Sequence, residues 1–375
     1  DWSSDVCSSD LPTFTYQNGE ELLVALQEAA VRQGISDIHF NPEKDGVHAV
    51  WRELGILVPL LTIPVAIFEG ISRRIKFNAK LRMNITNVPQ DGQYTFTVDG
   101  RMVNVRVATL PSRSGEAFTL RFLDPAKGIV PLEQLGFPDD IRNQLTDLCD
   151  LPNGLILVTG PTGSGKTTTL YALLSRLAGH ETNIITLEDP IEYELANIVQ
   201  SQVDPEHGFT FASGLRSILR HDPDIILVGE IRDSETAQTA IDAALTGHLV
   251  LATLHTNSAV EAIPRLLSMG VSTYTCAPAL RGILAQRLVR TINPAYRGTS
   301  EHEETASNFF TGRCTLPELL VINDALRDRI INQATSAEIL ETARQNGYRT
   351  MAEAGGHLVA EGITTQSEID RVTAA

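Results

Sequence analysis

The run Leu155-Ile-Leu-Val-Thr-Gly-Pro-Thr-Gly-Ser-Gly-Lys-Thr-Thr-Thr169 joins a short apolar strand directly to the spacing G-x-x-x-x-G-K-T, with Gly160, Gly165, Lys166 and Thr167 in the required places. A chain with this run must end a buried strand in a glycine-rich turn whose backbone N–H groups surround phosphate oxygens. It must then start a helix with its positive dipole end toward the same anion. Gly160, Pro161, Thr162, Gly163, Ser164, Gly165, Lys166, Thr167 and Thr168 are therefore candidate ligands of a nucleoside triphosphate, with Lys166 at the β/γ-phosphates and the Thr167 hydroxyl on Mg²⁺. The competing reading is an ordinary glycine-rich turn, and the flanks, strand before and helix after, argue against it.

Length and charge bound the rest. With 375 residues the chain exceeds what one core supports, so two or three domains are expected. A net charge of −16 opposes nonspecific attraction to DNA, RNA or anionic lipid, which makes nucleic acid a poor partner. The apolar stretch from Tyr274 to Ile292 is interrupted by Arg281, Arg287 and Arg290, so no direct membrane span is expected and any membrane role comes through a partner. Cys7, Cys149, Cys276 and Cys314 lie far apart without a C-x-x-C pair, which argues against zinc and against a disulfide framework and fits a reducing cytoplasm. Residues 1–11 are rich in Ser and Asp and have neither the basic nor the apolar region of a signal peptide. They read as a non-native or disordered leader resembling translated adapter sequence, with the true N-terminus lying upstream.

Periodicity divides the remainder. Leu22, Leu23, Leu26, Ala29 and Ala30 recur at helical spacing before Gly34, and residues 36–40 and 47–53 read as extended. A second amphipathic helix covers residues 64–81, and three strands are expected between Gln93 and Leu123, which makes residues 12–127 an α+β domain. After the turn-rich linker Asp124-Pro-Ala-Lys-Gly128 come the short apolar runs 155–159, 184–187, 225–228 and 249–253 alternating with helices. That is the pattern of a parallel sheet covered on both faces, and it makes 128–293 an α/β, RecA-like core. Residues 294–375 turn polar through Gly312 and then read as helical to the end, with capping boxes at Thr335…Glu338 and Thr365…Glu368.

Further chemistry surrounds the loop. Asp222-Pro-Asp-Ile-Ile-Leu-Val-Gly-Glu-Ile-Arg-Asp233 has the form of a Walker B strand, which puts Glu230 at its carboxyl end, where it activates or orients the attacking water. Ile185-Thr-Leu-Glu-Asp-Pro-Ile-Glu192 ends similarly and offers Glu188, Asp189 and Glu192 for Mg²⁺, partly through water; an acidic helix start is the alternative. His248 and His255 flank an apolar strand, and His255 emerges where a γ-phosphate sensor is needed. Arg216 and Arg220 share a helical face that is solvated or directed at this site or its neighbour. In the hairpin spanning 101–123, alternation pairs Val105 with Phe122 and Val107 with Leu120, which sets Arg106 opposite Arg121. Like charges across a strand pair cost stability, so these arginines either are solvated or have an anion or carboxylate between them.

The order of P-loop, Glu-Asp-Pro-Ile-Glu box, Asp-Pro-Asp…Gly-Glu-Ile-Arg-Asp and Thr-Gly-His…Thr-Leu-His-Thr-Asn resembles the secretion ATPases of type II secretion and type IV pilus assembly, over nearly the whole chain after residue 12. Ser36-Asp-Ile-His-Phe40 and Pro89-Gln-Asp-Gly92 resemble that family's PAS-like N-terminal domain. The resemblance implies a cytoplasmic homohexamer, peripheral at the inner face of the cytoplasmic membrane, that hydrolyses ATP with Mg²⁺. It also implies that the motor drives an inner-membrane platform protein, with associated cytoplasmic assembly proteins, to assemble pilin or pseudopilin. It places Arg106 and Arg121 where the family carries nucleotide-contacting arginines, and matches Arg216 and Arg220 to another arginine pair. Many assembly members carry a tetracysteine zinc module where this chain has the cysteine-free segment 293–313, so zinc is expected to be absent. The alternatives are a retraction motor, which the ending Tyr348-Arg-Thr-Met-Ala…Val-Thr373 disfavours, a nucleotide-gated scaffold without useful turnover, and a DNA transporter, which the charge disfavours.

Overall fold

The computed structural model describes residues 14–124, 128–179, 181–297 and 308–374. The leader and the centre of the expected linker, residues 125–127, lie outside them. The chain divides into two compact units, Asp1–Gly128 and Ile129–Ala375.

In the first unit α1 (Gly19–Gln33) precedes β1 (Asp37–Pro42), β2 (Val47–Glu53), β3 (Ile56–Ile63), α2 (Val65–Asn78), β4 (Gln90–Val98), β5 (Arg101–Ser112) and β6 (Gly115–Leu123). Helix α1 begins where the Asn18 side chain accepts the Glu21 N–H and stops at Gly34, whose φ of 76° ends it in the left-handed region. The six strands form one antiparallel sheet in the order β3-β2-β1-β6-β5-β4. Leu22, Leu23 and Leu26 of α1 and Phe68, Ile71 and Ile75 of α2 bury one face against Ile38, Phe40, Trp51, Val105, Val107 and Leu120. Strand β3 has no counterpart in the sequence reading. It contains Pro59, which is tolerated because β3 is an edge strand and Pro59 meets Val50 at a register irregularity.

The alternation along β5 and β6 sets the register observed, with Val105 opposite Phe122, Arg106 opposite Arg121 and Val107 opposite Leu120. The carboxylate that relieves this like-charge pair comes from the next strand. Asp37 lies opposite Arg121 on one side and Arg52 on the other. Its Oδ1 is 2.7 Å from Arg121 Nε, and its Oδ2 is 3.8 Å from Arg52 Nε. A row Arg52-Asp37-Arg121-Arg106-Gln93 thus crosses five strands on the face opposite the helices.

The same unit contains a buried ion pair. Lys76 Nζ lies 2.6 Å from Glu116 Oε2 and donates to the Ile85 carbonyl at 2.7 Å, and the Lys76 and Glu116 side chains are only 2% and 6% exposed. Lys76→Met should cost about 3–5 kcal/mol, because it leaves Glu116 buried without a counter-charge, and Glu116 Oε1 already has no hydrogen-bond partner. Lys76→Met/Glu116→Leu should recover most of the loss. Urea unfolding followed by Trp51 fluorescence reads this unit, since the only other tryptophan of the two is Trp2. Equal stability of wild type and Lys76→Met would contradict the assignment.

The second unit contains α3 (Asp139–Cys149), β7 (Gly154–Thr159), α4 (Lys166–Leu177), β8 (Ile184–Glu188), β9 (Val199–Gln202), α5 (Phe211–Ile218), β10 (Ile225–Val228), α6 (Ser234–Leu245) and β11 (Leu249–Leu254). These are followed by α7 (Ala262–Ser268), α8 (Thr273–Ala279), β12 (Leu280–Ile292), β13 (Phe310–Val321), α9 (Asp324–Ile331), α10 (Ser336–Gln345), α11 (Met351–Ala360) and α12 (Gln366–Thr373). The seven-stranded sheet has the order β13-β12-β7-β11-β10-β8-β9. It is parallel except for β13. Strands β7, β8, β10 and β11 are buried throughout, as their unbroken apolar runs require.

The region expected to be helical begins differently. Phe310–Val321 is the edge strand β13, paired antiparallel with β12 from Gly282 to Ile292, and helices occupy the chain only after Val321. Its polar start, Thr311-Gly-Arg-Cys314, conceals the strand; the pairing partner supplies what periodicity lacks. Thr335 and Glu338 form the expected reciprocal cap, and so do Thr350 and Glu353. Thr365 caps α12 with its side chain, but the Glu368 carboxylate turns instead to Arg290 of β12 and to Arg371. A buried carboxylate gains more from two guanidinium partners than from a backbone N–H.

Candidate nucleotide site

The carboxyl ends of three adjacent strands, β7, β11 and β10, bring the predicted residues together. From β7 the chain enters the loop 160–165 and then α4. Gly160 is required there: its φ is 145°, and a Cβ would meet the Gln286 carbonyl oxygen at 2.6 Å. Gly165 caps α4 in the left-handed region at φ 89° without a side-chain hydrogen bond, and the first turn has no acidic residue. Lys166 stands there instead. A cation at the positive end of a helix is unfavourable by itself, so this terminus fits an anion. Lys166 Nζ donates to the carbonyls of Gly160 at 2.7 Å and Pro161 at 3.0 Å. Burial, opposed by the Glu230 charge and aided by Arg287, pushes the Lys166 ammonium down to about 8.

This shift has a definite sign. Below pH 8 the free ammonium is charged and ready for phosphate, whereas above it a proton must be taken up on binding. ADP affinity should therefore fall as pH rises through about 8, by up to roughly tenfold per unit. Calorimetry between pH 7 and 9.5 in buffers of different ionisation enthalpy checks it; a flat affinity without proton uptake would contradict it.

Glu230 follows β10 and is held on both sides. Its Oε2 is 2.6 Å from Arg232 Nε, and its Oε1 is 3.2 Å from His255 Nε2, which projects from the end of β11. Arg232 also lies 3.5 Å from Asp189 Oδ2. His248 is at the opposite end of β11, where its Nδ1 is 3.0 Å from the Ala243 carbonyl, in a structural role. Glu188 is 4% exposed, and both oxygens are engaged: by Tyr171 of α4, by Thr186 at 2.5 Å and by Gln200 at 3.1 Å. It thereby ties the P-loop helix to β8. Arg216 pairs with Glu235 at the start of α6, and Arg220 donates to the Arg216 carbonyl at 2.9 Å. Neither makes a hydrogen bond or ion pair to the loop among the described residues. Arg106 and Arg121 belong to the other unit.

Several positioning residues escaped sequence reasoning. Buried Gln286 of β12 donates to the Ser164 carbonyl at 2.7 Å and accepts the Thr169 hydroxyl at 2.9 Å, which fixes the loop from beneath. Thr159 Oγ1 accepts the Thr256 N–H at 2.9 Å. Arg287 donates to the Asn257 carbonyl at 3.0 Å. The signal for Gln286 was a polar residue inside an apolar run, which buries only with partners. The described cysteines, Cys149, Cys276 and Cys314, are free thiols on α3, α8 and β13, and burial pushes the first two up to about 12 and the third to about 11. No helix among the described residues is long and apolar enough to cross a membrane.

Residues 17–371 match the family described as type II/IV secretion system protein. The chain belongs to that family. It is 42% identical over 370 residues to type II secretion system protein E of Xanthomonas campestris, covering 92% of this chain and 65% of that protein. It is 40% identical over 366 residues to the type IV pilus assembly ATPase PilB of Thermus thermophilus, covering 91% of this chain and 41% of the relative. The chain thus spans less than two thirds of both relatives. Among solved structures, the pilus retraction motor PilT with bound ADP superposes with a TM-score of 0.67 at 30% identity, over 94% of this chain and 97% of the other.

Proposed function

We propose that this secretion-family chain is the ATP-hydrolysing subunit of a homohexameric motor that drives pilin or pseudopilin assembly through an inner-membrane platform protein and associated cytoplasmic proteins. The observation that carries this reading is the convergence of the P-loop, Glu230 and His255 at the carboxyl ends of three neighbouring strands. Hydrolysis by such sites is mostly positioning and charge neutralisation. Lys166 and the backbone of residues 160–168 hold the phosphates, Glu230 orients the attacking water, and His255 reports the γ-phosphate. We assign Mg²⁺ to Thr167, with Asp189 and Glu230 contributing, partly through water; bound there, the ion neutralises phosphate charge. Glu188, whose oxygens are already engaged, acts by supporting that shell.

In this reading 12–127 is the PAS-like domain, 128–293 the RecA-like core and 294–375 the C-terminal region. Arg106 and Arg121 act on the nucleotide from the first of these, and Arg216 and Arg220 serve the same or a neighbouring subunit's site. Zinc has no part in it, nucleic acid is not the cargo, and the motor works in the cytoplasm against the inner membrane face. Phosphate release from Mg-ATP tests the reading: the wild type should turn over, and Lys166→Ala should abolish most activity without unfolding, since it removes one charge from a loop rather than from a core. A nucleotide-gated scaffold would release no phosphate in either form. The likeness to a retraction motor keeps one rival. Deletion should abolish the appendage if the motor assembles it, and should leave excess static fibres if the motor retracts it.

A further inference from the structure

We propose that Glu318 is a positioning residue for the nucleotide site, holding the loop that carries His255 in register with the C-terminal helices; this rests on the ATPase reading above. Glu318 is 4% exposed on β13, between Leu316 and Pro317 on one side and Leu319 and Leu320 on the other. A buried carboxylate is retained only if strong donors replace water. Among the described residues no ion pair within 4.0 Å serves it. Two backbone N–H groups do: Ala259 donates to Oε1 at 2.7 Å and Met351 donates to Oε2 at 2.9 Å.

These donors come from different places. Ala259 is four residues beyond His255, and Met351 is the first residue of α11, where an unpaired N–H and the positive helix end favour a carboxylate. The Tyr348 phenol, just before that helix, is driven well above its usual range by burial first and then by the charge of Glu318 and a hydrogen bond to it, and so stays protonated as a further donor to the carboxylate. One side chain therefore spans the His255 loop and the start of α11, one oxygen to each.

The neighbouring strand completes the linkage. Ala285 of β12 lies opposite Glu318 in the ladder, and the next two residues are Gln286, which holds the Ser164 carbonyl, and Arg287, which holds the Asn257 carbonyl. The β12–β13 hairpin thus fixes the P-loop through Gln286 and the His255 loop through Arg287 and Glu318. A shift of α11 reaches the loop that follows His255 through Glu318, and the P-loop, which touches that loop where Thr159 Oγ1 accepts the Thr256 N–H, is held in addition by Gln286.

That additional support of the P-loop sets the test. Glu318→Gln keeps the shape but turns one acceptor into a donor facing an N–H group. It should lower kcat for Mg-ATP about tenfold, the effect of losing one charge-assisted hydrogen bond, with KM for ATP and Kd for ADP changed less than about twofold, because Gln286 still holds the loop. The peptide covering 255–261 should lose hydrogen-exchange protection, a readout independent of turnover. His255→Ala/Glu318→Gln should be no slower than His255→Ala alone, since both act through one group. Glu318→Asp keeps the charge but is too short to span both amides; it should show the same slow turnover and covers the case in which the Gln variant folds poorly. Wild-type kcat in both variants, or fully additive losses in the double variant, would overturn the assignment. Absence of phosphate release by the wild type would instead sink the ATPase reading, and unchanged exchange of 255–261 would then sink the positioning role separately.

Discussion

Glu230→Gln should bind ATP normally and hydrolyse it about 10²- to 10⁴-fold more slowly, the range lost when a positioned general base or water-orienting carboxylate is removed. Glu230 sits between Arg232 and His255, its side chain 19% exposed, so the amide keeps the shape and can still accept from either neighbour. The negative charge is lost, and one of the two acceptor oxygens becomes a donor. That charge also holds the Lys166 ammonium up against burial. The fall of nucleotide affinity with pH should therefore begin at lower pH in the variant than in the wild type. Single-turnover hydrolysis beside ADP titrations at pH 7 and 8.5 separates the two effects. Lost binding at pH 7 with unchanged turnover per bound ATP would mean that Glu230 supports the phosphates rather than the water.

Arg106→Ala and Arg121→Ala should each reduce ATP turnover on the order of 10³-fold, if these guanidiniums complete the phosphoryl-transfer site as proposed. Lys at either position should restore only part of it, because an ammonium lacks the planar fork of donors. Arg121→Ala should also cost some stability. Arg121→Ala removes a partner 2.7 Å from buried Asp37 and leaves it with the Ser36 hydroxyl at 2.7 Å and Arg52 at 3.8 Å. The loss is softened because the Arg121 side chain is 53% exposed and solvent screens the pair. Arg106→Ala removes the like-charge neighbour and leaves the Arg121–Asp37 pair in place. Wild-type rates for both variants would reduce the pair to members of a surface charge ladder.

The fate of that pair shows how far the sequence reaches. Two arginines facing each other across β5 and β6 follow from alternation alone, because the side-chain period of a strand is two. That Asp37 relieves them depends on β1 docking beside β6, a pairing of residues 84 apart that no local pattern encodes. The same division holds at the site. The clustering of residues 160–165, Glu230 and His255 was legible because each follows the end of an apolar run, and parallel strands present their carboxyl ends together. Glu188 was legible as an acid, but not as one whose oxygens Tyr171, Thr186 and Gln200 already occupy.

The sequence by itself determined the buried strands β7, β8, β10 and β11, the glycine-rich loop 160–165, the helices α1 and α2 and the hairpin register, all set by the pattern of residues along short stretches of the chain. The tertiary structure alone decided that residues 310–321 form an edge strand, that Gln286 supports the P-loop 122 residues away, and that Glu368 leaves its helix cap for Arg290. Those outcomes depend on burial. Once a polar group loses water it must take whatever partner the fold brings near, and that partner is chosen by packing rather than by its place in the sequence.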